Sequence, residues 1–286
     1  MPLTSATATG VDQPRSGSRQ EPSRTVPVAE SLRDLPRGGR VAVLEPTPGG
    51  LAARFAETLA DRGPVTVFLA AAAVGYVLLA GLAISMGLLL TRGVLRMEAI
   101  ADVDERFVSW LVTQRGPSLT QASLVGSIVA GGVVIPTLVG VLMVALACMR
   151  RWRIAAFLLT AIAVEAAAYR AATLAVHRDR PSVQRMESLA VDASFPSGHT
   201  AASIAVYGGI ALLLISRIRS TRFRIACWSV ALLIPTFVAF ARMYRGMHHP
   251  LDALGGVVIG VAALLVALFA ARAAGAARDR REEGQS

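Results

Sequence analysis

Long apolar runs separated by short polar loops recur along most of the chain. A helix of about 20 apolar residues crosses a bilayer core of about 30 Å, and runs of this length predict six membrane-spanning helices. They cover residues 65–90, 123–148, 154–175, 199–216, 225–241 and 251–271. The pattern therefore predicts an all-α, polytopic membrane helix bundle. The second span contains Gly131, Gly132 and Pro136, and we expect a kink at the proline.

The composition agrees with a membrane protein. Hydrophobic residues make up 54% of the 286 residues and charged residues only 17%, whereas a soluble domain carries about 25% charged residues. This excludes a disordered chain, a disulfide-stapled secreted domain and a nucleic-acid-binding module. The two cysteines, Cys148 and Cys227, lie far apart within apolar runs and are predicted to pack. All 29 basic residues are arginines, so a mechanism that needs a lysine is excluded.

Arginines in the short loops predict the orientation, because basic loops remain in the cytoplasm. They concentrate between the second and third spans, between the fourth and fifth spans, and after the sixth. Both termini are therefore predicted to be cytoplasmic, with the loops at 91–119, 176–198 and 242–250 outside. A composition rich in alanine and arginine and free of lysine further points to a bacterial protein, which places the chain in the cytoplasmic (inner) membrane.

Three segments are predicted along the chain. Residues 1–62, rich in Pro, Gly, Ser and Arg, form a mostly disordered cytoplasmic tail. Residues 63–272 form the membrane domain, and residues 273–286 form a cytoplasmic C-terminal tail. Within the first tail, apolar side chains at helical spacing over 51–62 fit a short amphipathic helix on the membrane surface. A marginal helix in a linker fits the same residues.

The first outer loop is predicted to contain a helix that lies in the membrane interface. Apolar residues recur there at helical spacing, at Ile100, Val103, Phe107 and Leu111, with acidic residues on the opposite face. Trp110 is expected at the depth of the lipid headgroups.

The chain has four histidines, and the predicted topology places all of them on the outer face: His177, His199, His248 and His249. Arginines and aspartates share the same two loops. Guanidinium groups match phosphate oxygens bidentately, and each charge-assisted hydrogen bond contributes about 1.5–3 kcal/mol. Imidazoles, guanidiniums and carboxylates at the mouth of a helix bundle therefore predict an enzyme that acts on a phosphate.

Three local sequences sharpen this prediction. Residues 195–199 read Phe-Pro-Ser-Gly-His immediately before the fourth span, where Ser197 is expected as the helix N-cap and free backbone N–H groups favour an anion. Residues 178–181 read Arg-Asp-Arg-Pro just past the third span. In the third sequence, His248 precedes Asp252 by one helical turn, so the carboxylate is predicted to orient the imidazole ring.

Together these sequences resemble the signature of the type-2 phosphatidic acid phosphatase superfamily. Its pattern is an Arg-Pro pair with a lysine seven residues before the arginine, then Pro-Ser-Gly-His, then Ser-Arg followed by five residues, His, three residues and Asp. The chain matches the second motif completely. The matches in the other two motifs are Arg180, Pro181, Arg242, His248 and Asp252, and the departures are Thr173 for the lysine and Ala241 for the serine. The resemblance covers about 65–272 and implies an acid-phosphatase/haloperoxidase-like core.

The resemblance also implies roles for individual residues. His248 attacks phosphorus and forms a phosphohistidine, Asp252 orients His248, and His199 protonates the leaving group. The residues implied to bind phosphate oxygens are Arg180, Arg242, Ser197 and Gly198. Arg178 and Thr173 are candidates for replacing the missing lysine. No metal or cofactor is implied, because arginines take the place of a cation.

These roles predict an integral-membrane, metal-independent lipid phosphatase at the extracytoplasmic face. Its expected partner is a phospholipid or polyprenyl phosphate in the membrane: phosphatidic acid, phosphatidylglycerophosphate or a polyprenyl diphosphate such as undecaprenyl diphosphate. Two alternatives are a lipid phosphotransferase and a catalytically degenerate protein that binds lipid phosphates, the latter kept open by Thr173. A nucleic-acid partner is not expected.

Other polar residues receive structural interpretations. Glu165, in the third span, is predicted to face the bundle with a partner such as Arg170, because a charge in lipid is unfavourable. His177 and His249 match no motif position and are interpreted as bystanders or supporting groups. Arg245 is interpreted as a solvated loop charge or as a contact for an anionic headgroup.

Overall fold

The computed structural model describes residues 41–188 and 193–284 of the chain. Three helices begin with proline, at Pro64, Pro117 and Pro250, because the first turn of a helix leaves its N–H groups without intrahelical partners. The described residues form these α-helices: α1 (Leu51–Glu57), α2 (Pro64–Arg92), α3 (Glu98–Thr113), α4 (Pro117–Val129), α5 (Val134–Cys148), α6 (Trp152–Ala175), α7 (Gly198–Ser203), α8 (Gly209–Ile215), α9 (Thr221–Tyr244) and α10 (Pro250–Glu283). A π-helical turn, Ile204–Gly208, joins α7 to α8.

The all-α bundle predicted from the apolar runs is confirmed. Among the described residues, five stretches are long and apolar enough to cross a membrane: α2 with the turn that follows it, α6, the α7–α8 segment, α9 and α10. Helices α4 and α5 meet at a bend of 41° and give a sixth crossing if they are one broken span.

The position of the kink in the second span was predicted wrongly. The chain breaks at Ala130–Val133, which contains Gly131 and Gly132, whereas Pro136 lies within the first turn of α5. A proline is tolerated in a first turn, because its missing N–H has no intrahelical acceptor there. Two consecutive glycines destabilise a helix, because glycine loses the most backbone freedom on folding, and they are the local cause of the break.

Close packing of α10 against the segment that begins with α7 positions the site. A Cβ atom on Gly256 would lie 2.5 Å from the Ser197 carbonyl oxygen, and one on Gly260 would lie 2.6 Å from the Ala201 carbonyl oxygen. Only glycine fits such an approach, and small residues are what bring membrane helices together. The first turn of α10 therefore lies directly beside the start of α7.

Two helices end at residues other than those predicted. Helix α10 continues past residue 272 to Glu283, and its last turns contact α1 through Ala273, Ala276 and Ala277. Helix α1 is shorter than the predicted 51–62 and buries Ala52 and Ala56 rather than Leu51, which is 77% exposed. The periodicity of apolar residues predicted helix α1, but the contacts with α10 and α2 determine which face of it is buried. Residues 1–40 of the predicted tail lie outside the described residues.

Helix α3 exists as predicted, but its two faces are used differently. Val103, Phe107 and Trp110 are exposed, which suits contact with lipid. The opposite face buries Val108 and Leu111 together with the carboxylate of Asp104. Asp104 and Glu105 therefore point into the protein, where they have the partners described below, whereas Asp102 is exposed. Leu111 was predicted wrongly, because it lies on this buried face and not on the exposed apolar one.

Glu165 faces the interior of the bundle, as predicted from its position in the third span. Its residue exposure is 3%. Within the part of the chain that the structure describes, it forms no ion pair with Arg170, so the predicted partner was wrong. The five-residue separation places the two side chains on different faces of α6.

Candidate active site

The residues of all three motifs gather at one end of the bundle, which we call the site end. It is formed by the C-terminal ends of α6 and α9, the N-terminal ends of α7 and α10, and helix α3. His248 interacts electrostatically with Asp252, Arg242, Arg180 and His199. These two histidines and two motif arginines lie far apart in the sequence but are neighbours in the structure.

His248 is buried, with an exposure of 3%, and its ring is held in one tautomer. Its Nδ1 lies 2.8 Å from the carbonyl oxygen of Ser194. A carbonyl only accepts hydrogen bonds, so Nδ1 carries the proton and Nε2 keeps its lone pair. Burial lowers the pKa of His248 from 6.5 to about 3, although Asp252 raises it in part. The neutral ring with a free Nε2 is the form that a nucleophile requires.

The contact predicted between Asp252 and His248 is not a hydrogen bond. The Asp252 Oδ2 atom lies 3.9 Å from Nδ1 of His248, and the Ser194 carbonyl takes the position that was predicted for the carboxylate. Asp252 Oδ2 instead accepts a hydrogen bond of 2.5 Å from Ser194 Oγ and one of 2.8 Å from the His249 backbone N–H. Asp252 therefore positions His248 indirectly, through the residue that binds its ring.

Arg178 was predicted to extend toward a phosphate position, but in the structure it does not. Its guanidinium lies between two buried carboxylates and donates one hydrogen bond to Asp252 and another to Asp104 of α3. Both nitrogens that form the fork are therefore engaged, and the residue exposure is 8%. Arg178 holds the carboxylate that in turn holds Ser194, so it is a positioning residue.

His249 belongs to the same hydrogen-bond network, so it is a supporting group and not a bystander. Its Nε2 lies 2.9 Å from Glu105 of α3, and its Nδ1 lies 3.3 Å from Asp252 Oδ2. Burial lowers the pKa of His249, but hydrogen bonds to Asp252 and Glu105 outweigh it and raise the pKa above the ordinary value. Helix α3 thus supplies two carboxylates that fix the start of α10.

Arg180 crosses from the loop after α6 to the loop before α10. Its Nη1 donates to the Met247 carbonyl at 2.5 Å and its Nη2 to the Ala193 carbonyl at 3.1 Å. These bonds tie together the residue before His248 and the residue before Ser194. Arg180 therefore brings a positive charge to the two segments that carry His248 and its hydrogen-bond acceptor.

The second motif forms the start of α7. Ser197 is the N-cap residue, as predicted, but its side chain makes no capping bond; its Oγ lies 2.9 Å from Thr200 Oγ1. Gly198 is needed because a Cβ there would lie 2.9 Å from the ring of Tyr169. His199 follows in the first turn and interacts electrostatically with Arg242 and Arg180.

Arg242 is fully buried and lies against a carboxylate that the sequence analysis missed. Its Nη1 donates to Glu187 at 2.6 Å and to the hydroxyl of Ser127. Ser127 donates in turn to Glu187 at 2.7 Å, and Arg245 donates to the same carboxylate through Nε. Burial raises the pKa of Glu187, but the hydrogen bond and charge of Arg242 outweigh it and bring the pKa to about 2.

The two departures from the family pattern have different structural consequences. The hydroxyl of Thr173 was predicted to donate to a phosphate. It donates instead to the Arg170 carbonyl of its own helix at 3.0 Å. Ala241 is fully buried, and Gly126 of α4 approaches it so closely that a Cβ on the glycine would lie 2.7 Å from the alanine Cβ. Ser127, the next residue of α4, brings a hydroxyl to Arg242 from another helix.

The residues that were missed lie far along the chain from their partners. Asp104 and Glu105 were interpreted only as the polar face of α3, Arg245 as a loop charge or a contact for an anionic headgroup, and Glu187 and Ser127 carried no motif. A buried charge is stable only when it is paired, and the partners are 55 to 144 residues away. Among the described residues, no three His, Cys, Asp or Glu side chains are placed to share a metal ion.

The model of one family, described as the PAP2 superfamily, matches residues 154–275. This region contains all three motifs. No curated protein matches the chain.

Two solved structures are similar to this one. The first is the transmembrane PAP2 type phosphatidylglycerolphosphate phosphatase from Bacillus subtilis, with a TM-score of 0.56 and 21% identity, over 71% of this chain and 93% of that one. The second is LpxE from Aquifex aeolicus, with a TM-score of 0.46 and 22% identity, over 58% of this chain and 94% of that one. The first likeness confirms the helical fold that the sequence predicted. Residues 154–275, which contain the three motifs, are therefore similar to the PAP2 superfamily.

Proposed function

We propose that the protein is a metal-independent lipid phosphatase that works through a phosphohistidine on His248. The observation that carries the proposal is the hydrogen bond of 2.8 Å from His248 Nδ1 to the Ser194 carbonyl. It leaves the Nε2 lone pair free on a buried, neutral ring beside two motif arginines. An imidazole in this form needs no base to activate it before it attacks phosphorus.

The reaction has two steps. In the first, Nε2 of His248 forms a bond to phosphorus while the bond from phosphorus to the lipid oxygen breaks, and His199 donates a proton to the leaving alkoxide. In the second, water attacks phosphorus, the bond to Nε2 breaks, and His199 takes a proton from the water. Arg180 and Arg242, with Ser197 and the backbone N–H of Gly198, bind the phosphate oxygens and stabilise their charge in both steps.

The substrate that we propose is a lipid phosphate: phosphatidic acid, phosphatidylglycerophosphate or a polyprenyl diphosphate. The site lies at the end of a bundle with long exposed apolar faces, such as Leu69, Val77 and Leu82 on α2. A lipid reaches such a site with its headgroup while its tails remain in the bilayer. The arginine-rich loops support an inner-membrane location with both termini in the cytoplasm and the site outside.

Phosphate release from a panel of these lipids tests the proposal, with the purified wild type, His248→Ala and His177→Ala compared in the presence of a chelator. His177 is an exposed histidine near the motifs and makes a matched control. We expect the wild type and His177→Ala to release phosphate at similar rates and His248→Ala to release none. A label from radioactive substrate on the wild type that is labile to acid and stable to base identifies the phosphohistidine.

Other outcomes contradict the proposal in different ways. Phosphate release that persists in His248→Ala rules out the proposed nucleophile. Release that stops in chelator rules out metal independence. A new phospholipid in place of free phosphate indicates a phosphotransferase, and lipid binding without turnover in the wild type indicates a degenerate member that has lost function with its lysine.

A further inference from the structure

Arg242 is the best candidate for a phosphate ligand, and in the structure it is bound to an internal anion. Its Nη1 donates to Glu187 Oε2 at 2.6 Å, within a site that also contains Ser127 and Arg245. A carboxylate bound by two guanidiniums and a hydroxyl has the ligand set of a bound phosphate. Glu187 interacts electrostatically with His199 as well, so this anion lies close to the proposed general acid.

Two further observations show that this site is built for more negative charge than Glu187 supplies. Nε and Nη2 of Arg242 are buried and have no hydrogen-bond acceptor among the residues that the structure describes. In addition, the single carboxylate charge of Glu187 faces the guanidinium charges of Arg242 and Arg245, and both arginines are almost completely buried. Buried donors and cations are normally satisfied. A phosphate dianion would bring the second negative charge and the additional acceptor oxygens.

We infer that Glu187 competes with the substrate phosphate for Arg242, and that Ser127 and Arg245 are further phosphate ligands. The inference rests on the proposed function and adds to it. Ser127 supplies from α4 the hydroxyl that Ala241 lacks, and Arg245 supplies a second cation to a site where Thr173 replaces the family lysine. Glu187, whose side chain is 23% exposed, leaves the two guanidiniums when phosphate binds.

Binding of orthovanadate, a phosphate analogue, to the purified wild type and to Glu187→Gln tests the inference without turnover. Glutamine keeps the size of the side chain and removes its charge. We expect the variant to bind orthovanadate about tenfold more tightly. In the wild type, the charge-assisted hydrogen bond from Arg242 to Glu187 has to be broken first, and a tenfold change corresponds to about one such bond. Asp179→Asn, an equal change of charge at an exposed position near the site, is expected to leave the affinity unchanged.

Equal or weaker binding by folded Glu187→Gln overturns the inference and makes Glu187 a structural partner of the arginines. If that variant does not fold, hydrogen exchange in the wild type decides: exchange of the backbone around Met186 and Glu187 rises with orthovanadate if Glu187 is displaced, and an unchanged rate overturns the inference. Ser127→Ala and Arg245→Gln are expected to weaken orthovanadate binding, and unchanged affinity in both also counts against it.

The result is separable from the proposed function. Orthovanadate binding that Glu187→Gln does not improve, in a wild type that hydrolyses lipid phosphates through His248, contradicts this inference alone. A wild type that neither binds orthovanadate nor releases phosphate contradicts both.

Discussion

Arginines stabilise both ends of the bundle, but they do so in different surroundings. At the site end, Arg178 and Arg242 have side-chain exposures of 6% and 0% and are paired with carboxylates. At the opposite end, Arg153 and Arg278 are 34% and 31% exposed and share Glu45. The same residue type is therefore a buried charge in one place and a partly solvated one in the other.

The partners differ as well as the burial. At the opposite end, arginines donate to main-chain carbonyls that have no helical partner: Arg272 to Val43 at 3.0 Å and Arg153 to Leu44 at 3.2 Å. These bonds attach the segment before α1 to the bundle. At the site end, Arg180 also donates to main-chain carbonyls, but Arg178 and Arg242 donate to carboxylates. Asp252 binds both Arg178 and Ser194, and the Ser194 carbonyl binds the His248 ring, so a shift of Arg178 changes the position of His248.

Loss of Arg178 is expected to have the largest effect. Arg178→Leu leaves the carboxylates of Asp104 and Asp252 buried without their cation, and removal of one partner from a buried ion pair costs about 3–5 kcal/mol. We expect thermal unfolding of the detergent-solubilised protein to occur at a much lower temperature, with loss of phosphatase activity.

A second substitution separates charge from packing at this position. Arg178→Leu combined with Asp104→Asn removes one of the two uncompensated charges and is expected to recover part of the lost stability. If Arg178→Leu alone unfolds at the wild-type temperature, the ion pairs at the site end are no more important than those at the opposite end.

The sequence could predict the features that depend on local patterns, but not the partners of the buried charges at the site end. The spans and the clustering of motif residues follow from apolar length and from motif order, which are local properties. The roles of Arg178 and Asp252 do not, because an arginine two residues from Arg180 is equally compatible with a phosphate or a carboxylate partner. Asp104 decides between them, and it lies 74 residues away on α3.

The same limit applies to Glu187 and Ser127. No spacing links them to Arg242, since they lie 55 and 115 residues from it along the chain. The signal that was present in the sequence is a charge balance in the predicted loops at 176–198 and 242–250. Five arginines there (Arg178, Arg180, Arg185, Arg242 and Arg245) face three acidic residues, Asp179, Glu187 and Asp192, so each of these carboxylates is a candidate partner.

Acid is expected to destabilise the site end through His248, with an effect of intermediate size. The pKa of this group is about 3 in the folded protein, against an ordinary value of 6.5. Below pH 6.5 the unfolded chain binds a proton that the folded protein does not, so stability is complete above pH 6.5 and falls as the pH decreases toward 3. The slope approaches about 1.4 kcal/mol per pH unit.

His248→Asn provides the matched comparison, because the asparagine amide can still donate to the Ser194 carbonyl but does not titrate. Unfolding temperatures between pH 7.5 and 5 are expected to fall more steeply for the wild type than for the variant. This range avoids the acid titration of Glu187, whose ordinary pKa is 4.5 and whose pKa in the folded protein is about 2. Parallel curves would mean that His248 is not buried as a neutral ring.

The smallest effect is expected at the opposite end, from Arg278→Ala. Arg278 lies 3.8 Å from Glu45, 3.1 Å from Asp279 and 3.6 Å from Glu282, with its side chain 31% exposed. Ion pairs of this kind contribute about 0–1 kcal/mol, because water screens them and the long side chain loses freedom. We expect the unfolding temperature to change by a few degrees at most and the rate of phosphate release to remain at the wild-type value. A loss of activity in folded Arg278→Ala would show that the two ends are coupled through α10, whose 34 residues, Pro250–Glu283, include Asp252 in the first turn and the arginines of the opposite end in the last turns.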